Sequence, residues 1–282
     1  MQNESLAVQV RMARTALAND QCGPLHHDVD KVVWLGRRVA YQWRYQEALR
    51  IFSRELEDRA ALTALAATKV HRHRGHRFLT IRQFSMGEDD LRRAEALING
   101  TATADEWEPD GEPNAANIPL STLHFNVRYH LGLSEFLQGK FEAAQATYAR
   151  CLADGGNRND ESTVATAHWR YMALRRLGRD AEANATVAKF TPQMRMLEDA
   201  SYLNLTMMYQ GRAGYSADEV LQAARATSLD FSTVGFGVAN WFLVNGDKTR
   251  ASALMKEVLA SPYWAAFGYI ACEADLFRWQ SM

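Results

Sequence analysis

A glycine followed 12 positions later by alanine, and 4 after that by an aromatic ring, occurs twice in this chain: Gly36, Ala48 and Phe52, then Gly132, Ala144 and Tyr148. The stretches that carry them, WLGRRVAYQWRYQEALRIF and YHLGLSEFLQGKFEAAQATY, are apolar at intervals of three and four residues, as amphipathic helices are. Two helices of a hairpin approach closely only where the facing residue is small, and a ring one turn beyond a second small residue fills the gap beside it. Weaker copies fall into the same register. HRHRGHRFLTIRQFSMGEDDL places Gly75, Gly87 and Leu91 in these slots, AHWRYMALRRLGRDAEANATV places Tyr171, Ala183 and Val187, and GVANWFLVNGDKTRASALM places Ala239, Ala251 and Met255. SYLNLTMMYQG supplies the first helix of a further pair, with Asn204 in the glycine slot. Gly139, Gly178, Gly211 and Gly246 each follow a first helix at one interval, where a turn needs a residue at ease with φ > 0.

These residues resemble the tetratricopeptide repeat, whose pattern is W-x2-L-G-x2-Y followed by A-x3-F. The likeness covers roughly residues 28 to 260 and has departures. Val32 stands in the tryptophan slot of the first copy, and the proline that often ends a repeat is mostly missing. Gly36 to Gly75 and Gly132 to Tyr171 are each 39 residues, against about 34 for the family. Gly75 to Gly132 is 57, which inserts about twenty residues after the second pair. The resemblance implies an all-α fold: a right-handed α-α superhelix of about six helix pairs with capping helices, forming one solenoid domain over residues 1–282. Residues 1–27 read as an N-terminal helical arm, with Leu6, Val10, Ala13 and Leu17 on one stripe. Residues 261–282 read as a capping helix with Ser261 as N-cap and Pro262 at its first position.

Composition narrows the function classes. A formal net charge of -1 opposes a general nucleic-acid binder, which needs a surplus of Lys and Arg to displace counterions. No apolar run approaches the roughly 20 residues of a membrane helix, so no membrane partner is expected. The first twenty residues carry Glu4 and Asp20 and lack a signal peptide's apolar middle, which points to the cytoplasm. Cys22, Cys151 and Cys272 are scattered and show no metal or redox spacing, consistent with reduced structural thiols. A reactive Cys272 would require a lowered thiol pKa.

Two stretches invite chemistry. The inserted loop, residues 99–121, crowds Asp105, Glu106, Glu108, Asp110 and Glu112 together, without the spacing of a calcium loop. With Trp107 and Ile118 it is a candidate cover for a binding groove. KVHRHRGHRF, residues 69–78, packs three histidines and three arginines with a lysine into ten positions. Two histidines with no third ligand, flanked by arginines, are a poor cation site, and neither a metal nor a cofactor is expected.

In the resembled family the first helices line a concave surface, at positions counted from the glycine slot. Carried onto this sequence, those positions fall on Val33, Arg37 and Tyr41, then on Arg72, His76 and Thr80. Further along they fall on Tyr129, with Asn126 one turn earlier and His130 beside it, and on His168, Met172, Arg175 and Arg176. Ser201, Tyr209, Phe236 and Asn240 follow, with Glu273 from the last helix. His71, Arg74 and Phe78 then turn inward to the helix pair or toward the flanking repeat. The competing structural account has these histidines and arginines satisfying one another and buried carbonyls between repeats.

Two functions follow. The first is a binding module whose cationic, aromatic groove takes an anionic peptide, protein or carboxylate small molecule, because arginine's planar fork suits bidentate recognition. The alternative is a cofactor-independent enzyme, with His76, His130 or His168 as general acid/base and arginine stabilising an oxyanion during hydrolysis, elimination or cyclisation. No G-x-S-x-G, P-loop or G-x-G-x-x-G motif supports other chemistry.

Overall fold

Spacing of the helix pairs in the computed structural model follows the glycine register. Residues 2–18, 29–57, 62–98, 108, 114, 118–153, 159–198 and 200–280 are described, and the regular elements among them are all helices, as expected. Two units divide the chain, Met1–Glu106 and Trp107–Met282.

The first unit holds an arm, α1 (Gln2–Ala18), and two hairpins: α2 (Val29–Tyr41) with α3 (Tyr45–Glu57), and α4 (Ala64–Thr80) with α5 (Phe84–Ile98). Thr63 starts α4 by accepting the Ala66 N–H on its hydroxyl at 3.2 Å, satisfying one orphan donor of the first turn. A Cβ on Gly36 would lie 2.3 Å from the Phe52 ring, and one on Gly75 would lie 2.9 Å from Leu91 and 3.2 Å from the Gly87 carbonyl. The bare positions are therefore what lets each pair close over its fully buried plug, Phe52 or Leu91. On the α5 side of α4, the His71 Nδ1–H donates to Asp90 at 2.8 Å and Arg74 grips the same carboxylate with two bonds of 2.7 Å. Val10 of the arm is buried; the side chains of Leu6 and Leu17 lie outside the described residues.

The second unit repeats the hairpin four times: α6 (Leu123–Leu137) with α7 (Phe141–Ala153), α8 (Asp160–Arg176) with α9 (Asp180–Val187), α10 (Ser201–Tyr209) with α11 (Ala217–Ala224), and α12 (Ser228–Val244) with α13 (Lys248–Leu259). Gly132 meets the Tyr148 ring as Gly36 meets Phe52, a Cβ there lying 2.7 Å away. A buried aromatic cluster joins α6, α8 and α12 through Phe136, Trp169 and Phe236. The Trp169 Nε1–H would be costly to bury alone, and it donates to the Tyr129 hydroxyl at 2.9 Å.

Turn chemistry differs between the units. After α6, the Gly139 N–H bonds to the Phe136 carbonyl at 2.8 Å and the Lys140 N–H to that of Glu135 at 2.9 Å, closing the helix end. Gly139, Gly178, Gly211 and Gly246 all take φ between +68° and +88° there. In the first unit the same position belongs to Trp43 and Arg82, each at φ 64°, where a side chain costs roughly 1–2 kcal/mol.

The last helix, α14 (Phe267–Gln280), begins at Phe267 and not at Pro262. Pro262 instead sits in a turn, with the Trp264 N–H bonded to its carbonyl and the Ala266 N–H to that of Tyr263, both at 3.0 Å. Ser261 pairs its hydroxyl with Ser232 at 3.4 Å and caps nothing. Gly268 sets the register of the late start: a Cβ there would lie 2.0 Å from the Ser232 carbonyl oxygen, so α14 and α12 touch backbone to backbone. At its far end, Arg278 donates to the Leu137 carbonyl at the end of α6.

Of the acidic loop, Asp105, Glu106, Trp107, Asp110 and Glu112 lie outside the described residues. Glu108 is buried; its N–H donates to the Ser121 carbonyl at 3.0 Å and its carboxylate accepts from Asn126 Nδ2 at 2.6 Å. Among the described residues no helix is long and apolar enough to cross a membrane.

Candidate functional site

In the first unit α2 and α4 are neighbours, and arginines of both act on the Tyr41 phenol. Arg37 and Tyr41 come from α2, and Arg72, His76 and Arg77 from α4. Arg37, Tyr41 and His76 are half-buried, while Arg72 and Arg77 are only 9% and 8% exposed. Arg37 Nε donates to the Tyr41 hydroxyl at 3.4 Å. Arg72 Nη1 lies 2.9 Å from His73 Nδ1, and Arg77 Nη2 lies 2.9 Å from His76 Nδ1. A guanidinium can only donate, so both imidazoles accept on Nδ1 and, when neutral, carry their proton on Nε2.

Burial, followed by the phenol of Tyr41 and the charge of Arg72, dominates the surroundings of Arg77, and the net result pushes its guanidinium down to about 10. Among the described residues no carboxylate pairs with it. Burial pushes the Tyr41 phenol up, but Arg37, Arg77 and Arg72 outweigh it and leave the hydroxyl more acidic than usual. Trp34 stacks on the guanidinia of Arg37 and Arg38, 4.3 and 4.7 Å from its ring centre. Sequence counting reached Arg37, Tyr41, Arg72 and His76 but passed over Arg77, which sits one residue beyond a frame position.

The candidates in the second unit have other surroundings. Asn126 holds Glu108 and Ser121, the latter at 2.8 Å. His130, 5% exposed, donates from Nδ1 to the Asn126 carbonyl at 2.6 Å and packs edge-on to Phe267 and Tyr129. Tyr129 meets the Tyr202 hydroxyl at 3.3 Å, and burial raises its phenol well above the usual value. His168 is fully buried between Tyr202 and Tyr209, and burial pushes its imidazole down to about 3, which leaves it neutral at pH 7. Arg175 spans Tyr171, Asn245 and Asp180 at 2.7, 2.9 and 2.8 Å. Asn240, wholly buried, accepts from Arg176 Nε at 2.5 Å. Arg176 also reaches Asp275, which Arg278 grips from its other side. Glu273 is half-buried on α14.

Cys151 and Cys272 are buried and form no disulfide with each other; burial, with Asp275 and Glu273 nearby, pushes Cys272 well above the ordinary thiol range, the opposite of what a nucleophile needs. Among the described residues no group of three or more His, Cys, Asp or Glu is placed to hold a metal ion. A cleft of about 550 Å³ opens at the start of α8, between Ile118, Leu120 and Leu197. Its carboxylates are engaged: Asp160 accepts the Arg195 N–H and Glu161 that of Leu197, each at 2.8 Å.

No family model matches the chain, and no curated protein does. Among solved structures it is similar to YrrB, described as a TPR protein with an unusual peptide-binding site, at 12% identity and a TM-score of 0.44, over 93% of this chain and 97% of that one. The chain's own hairpins, with Gly36 closed on Phe52 and Gly132 on Tyr148, carry its tetratricopeptide-like character.

Proposed function

We propose that the first unit is a binding module for an acidic ligand, a small molecule or peptide, whose anionic group sits against Arg37, Tyr41, Arg72, His76 and Arg77. One observation carries this reading: Arg77 is a buried cation next to two others, with no carboxylate partner among the described residues. Burying an ion costs several kcal/mol even after relaxation. The two acidic groups that act on it, Tyr41 and Tyr45, are phenols and bear full charge only when ionised. Its place in the last turn of α4 gains from the helix dipole, but that is about 0.3–1 kcal/mol and about 2 at most. The dipole therefore offsets only part of the burial cost, and a bound anion supplies the rest.

The test is thermal unfolding in citrate, sulfate or phosphate against chloride at matched ionic strength. At least one of the three is expected to raise the wild-type Tm, since a ligand at a hundred times its Kd adds about 2.7 kcal/mol. Arg77→Met and the half-exposed Arg37→Ala are expected to lose that response. Equal responses in all three proteins, or none in wild type, would place the anion elsewhere.

A further inference from the structure

The cleft at the start of α8 lies wholly within the second unit and shares no residue with the anion site. We propose that it binds a free α-amino acid with a bulky apolar side chain, taken as the zwitterion. At about 550 Å³ it has the size of a small-molecule site. Asn159, Asp160 and Glu161 hold its two sides. Asn159 caps α8 by accepting the Ser162 N–H at 2.8 Å, and its Nδ2 donates to the Leu120 carbonyl on one side, also at 2.8 Å. Asp160 and Glu161 accept the backbone N–H groups of Arg195 and Leu197 on the other side. Two irregular segments are thus fixed to one helix end, so the space between them is organised before any ligand arrives.

The lining has two chemistries. Ile118, Leu120 and Leu197 are aliphatic, and Ile118 is 41% exposed, so an apolar side chain laid on them leaves water. Asp160 and Arg195 supply opposite charges. The Arg195 N–H bonds to Asp160 Oδ2 at 2.8 Å, which brings the two residues together and leaves Asp160 Oδ1 as a further acceptor. The Arg195 guanidinium nonetheless lies beyond ion-pair distance of that carboxylate, and among the described residues neither group has an ion pair. An α-amino acid carries both complementary charges: its ammonium donates to Asp160, and its carboxylate accepts the planar fork of Arg195. A simple carboxylate would leave Asp160 unmatched, and a simple amine would leave Arg195 unmatched. The start of α8 bears roughly half a positive charge, which the full charge of Asp160 outweighs, so the ammonium meets a net negative potential there.

Calorimetry of the full chain at neutral pH tests this with L-phenylalanine and three analogues. N-acetyl-L-phenylalanine lacks the ammonium, L-phenylalaninamide lacks the carboxylate, and glycine lacks the side chain. L-phenylalanine is expected to bind with a Kd of about 1 mM or tighter, and each analogue at least about tenfold more weakly. Asp160→Asn, which keeps an acceptor for the Arg195 N–H, and Arg195→Met should each weaken L-phenylalanine by about tenfold. Arg195→Met alters an exposed side chain and reads the site even where Asp160→Asn disturbs the fold. Absence of such binding, or an affinity indifferent to both substitutions, would overturn the site. Equal binding of the amide would overturn the free amino acid in favour of a chain's amino terminus. Equal binding of glycine or of the acetylated form would overturn the arrangement of charges and aliphatic wall. The anion response of the first unit is measured on other residues, so the two readings fail separately.

Discussion

Arg77 in the first unit and Arg176 in the second both stand in the last turn of a first helix, the one buried and the other half-buried, yet they are held in opposite ways. Arg176 has a carboxylate, Asp275, shared with Arg278, and a side-chain amide, Asn240, all brought from helices far along the chain. Arg77 has an imidazole and two phenols in its surroundings, and two further cations. The second unit neutralises the charge of Arg176 internally, with the buried Asp275, which is how an arginine serves as a structural tie. Among the described residues the first unit supplies Arg77 with no carboxylate, and the proposed anion site rests on that difference.

The largest expected effect breaks the tie. Asp275→Asn leaves two arginines without their anion and should cost about 3–5 kcal/mol in denaturant unfolding. Arg77→Met removes a buried charge that no carboxylate among the described residues pairs, and it should be neutral or stabilising, by about 1 kcal/mol. Similar losses in both proteins would abolish the distinction between the units.

The next effect is a dependence on pH. Burial holds the His168 imidazole at about 3, below its ordinary 6.5, so between those values the unfolded chain binds the extra proton. Stability from this group is complete above pH about 6.5 and falls by about 1.4 kcal/mol per unit as pH drops below it. In His168→Gln the stability curve, measured by denaturant titration from neutral to mildly acidic pH, should be flatter by one proton. An unchanged slope would mean that the imidazole already protonates in the folded state.

The smallest effect compares the turns. Trp43→Gly and Arg82→Gly should each stabilise by about 1 kcal/mol, because glycine takes φ 64° without strain. Gly178→Ala should lose a similar amount, since a Cβ there meets nothing within 4 Å and only the backbone objects. Melting temperatures of the three variants, moving in these opposite directions, would sharpen the contrast.

Much of this was readable from spacing, and the reasons are steric. Gly36 with Phe52 and Gly132 with Tyr148 announce themselves because close helix approach tolerates no other arrangement. The same counting put Arg37, Tyr41, Arg72 and His76 on adjoining first helices, which is where they lie. Three things stayed hidden. Trp43 and Arg82 adopt the left-handed turn that glycine marks elsewhere, so their position was invisible by residue type. Pro262 offers a strong start signal that the backbone contact at Gly268 overrides. The Asp275 partnership of Arg176 spans 99 positions, and no local pattern encodes a bond of that reach.

The bond from Arg278 to the Leu137 carbonyl has a consequence of its own, because it links the last helix of the second unit to its first. A stack whose members touch only the next in line can fray from either end like an unzipping row. Here the terminal helix clasps the starting one, so peeling away α14 also exposes α6, and the segment in between should melt as one cooperative block.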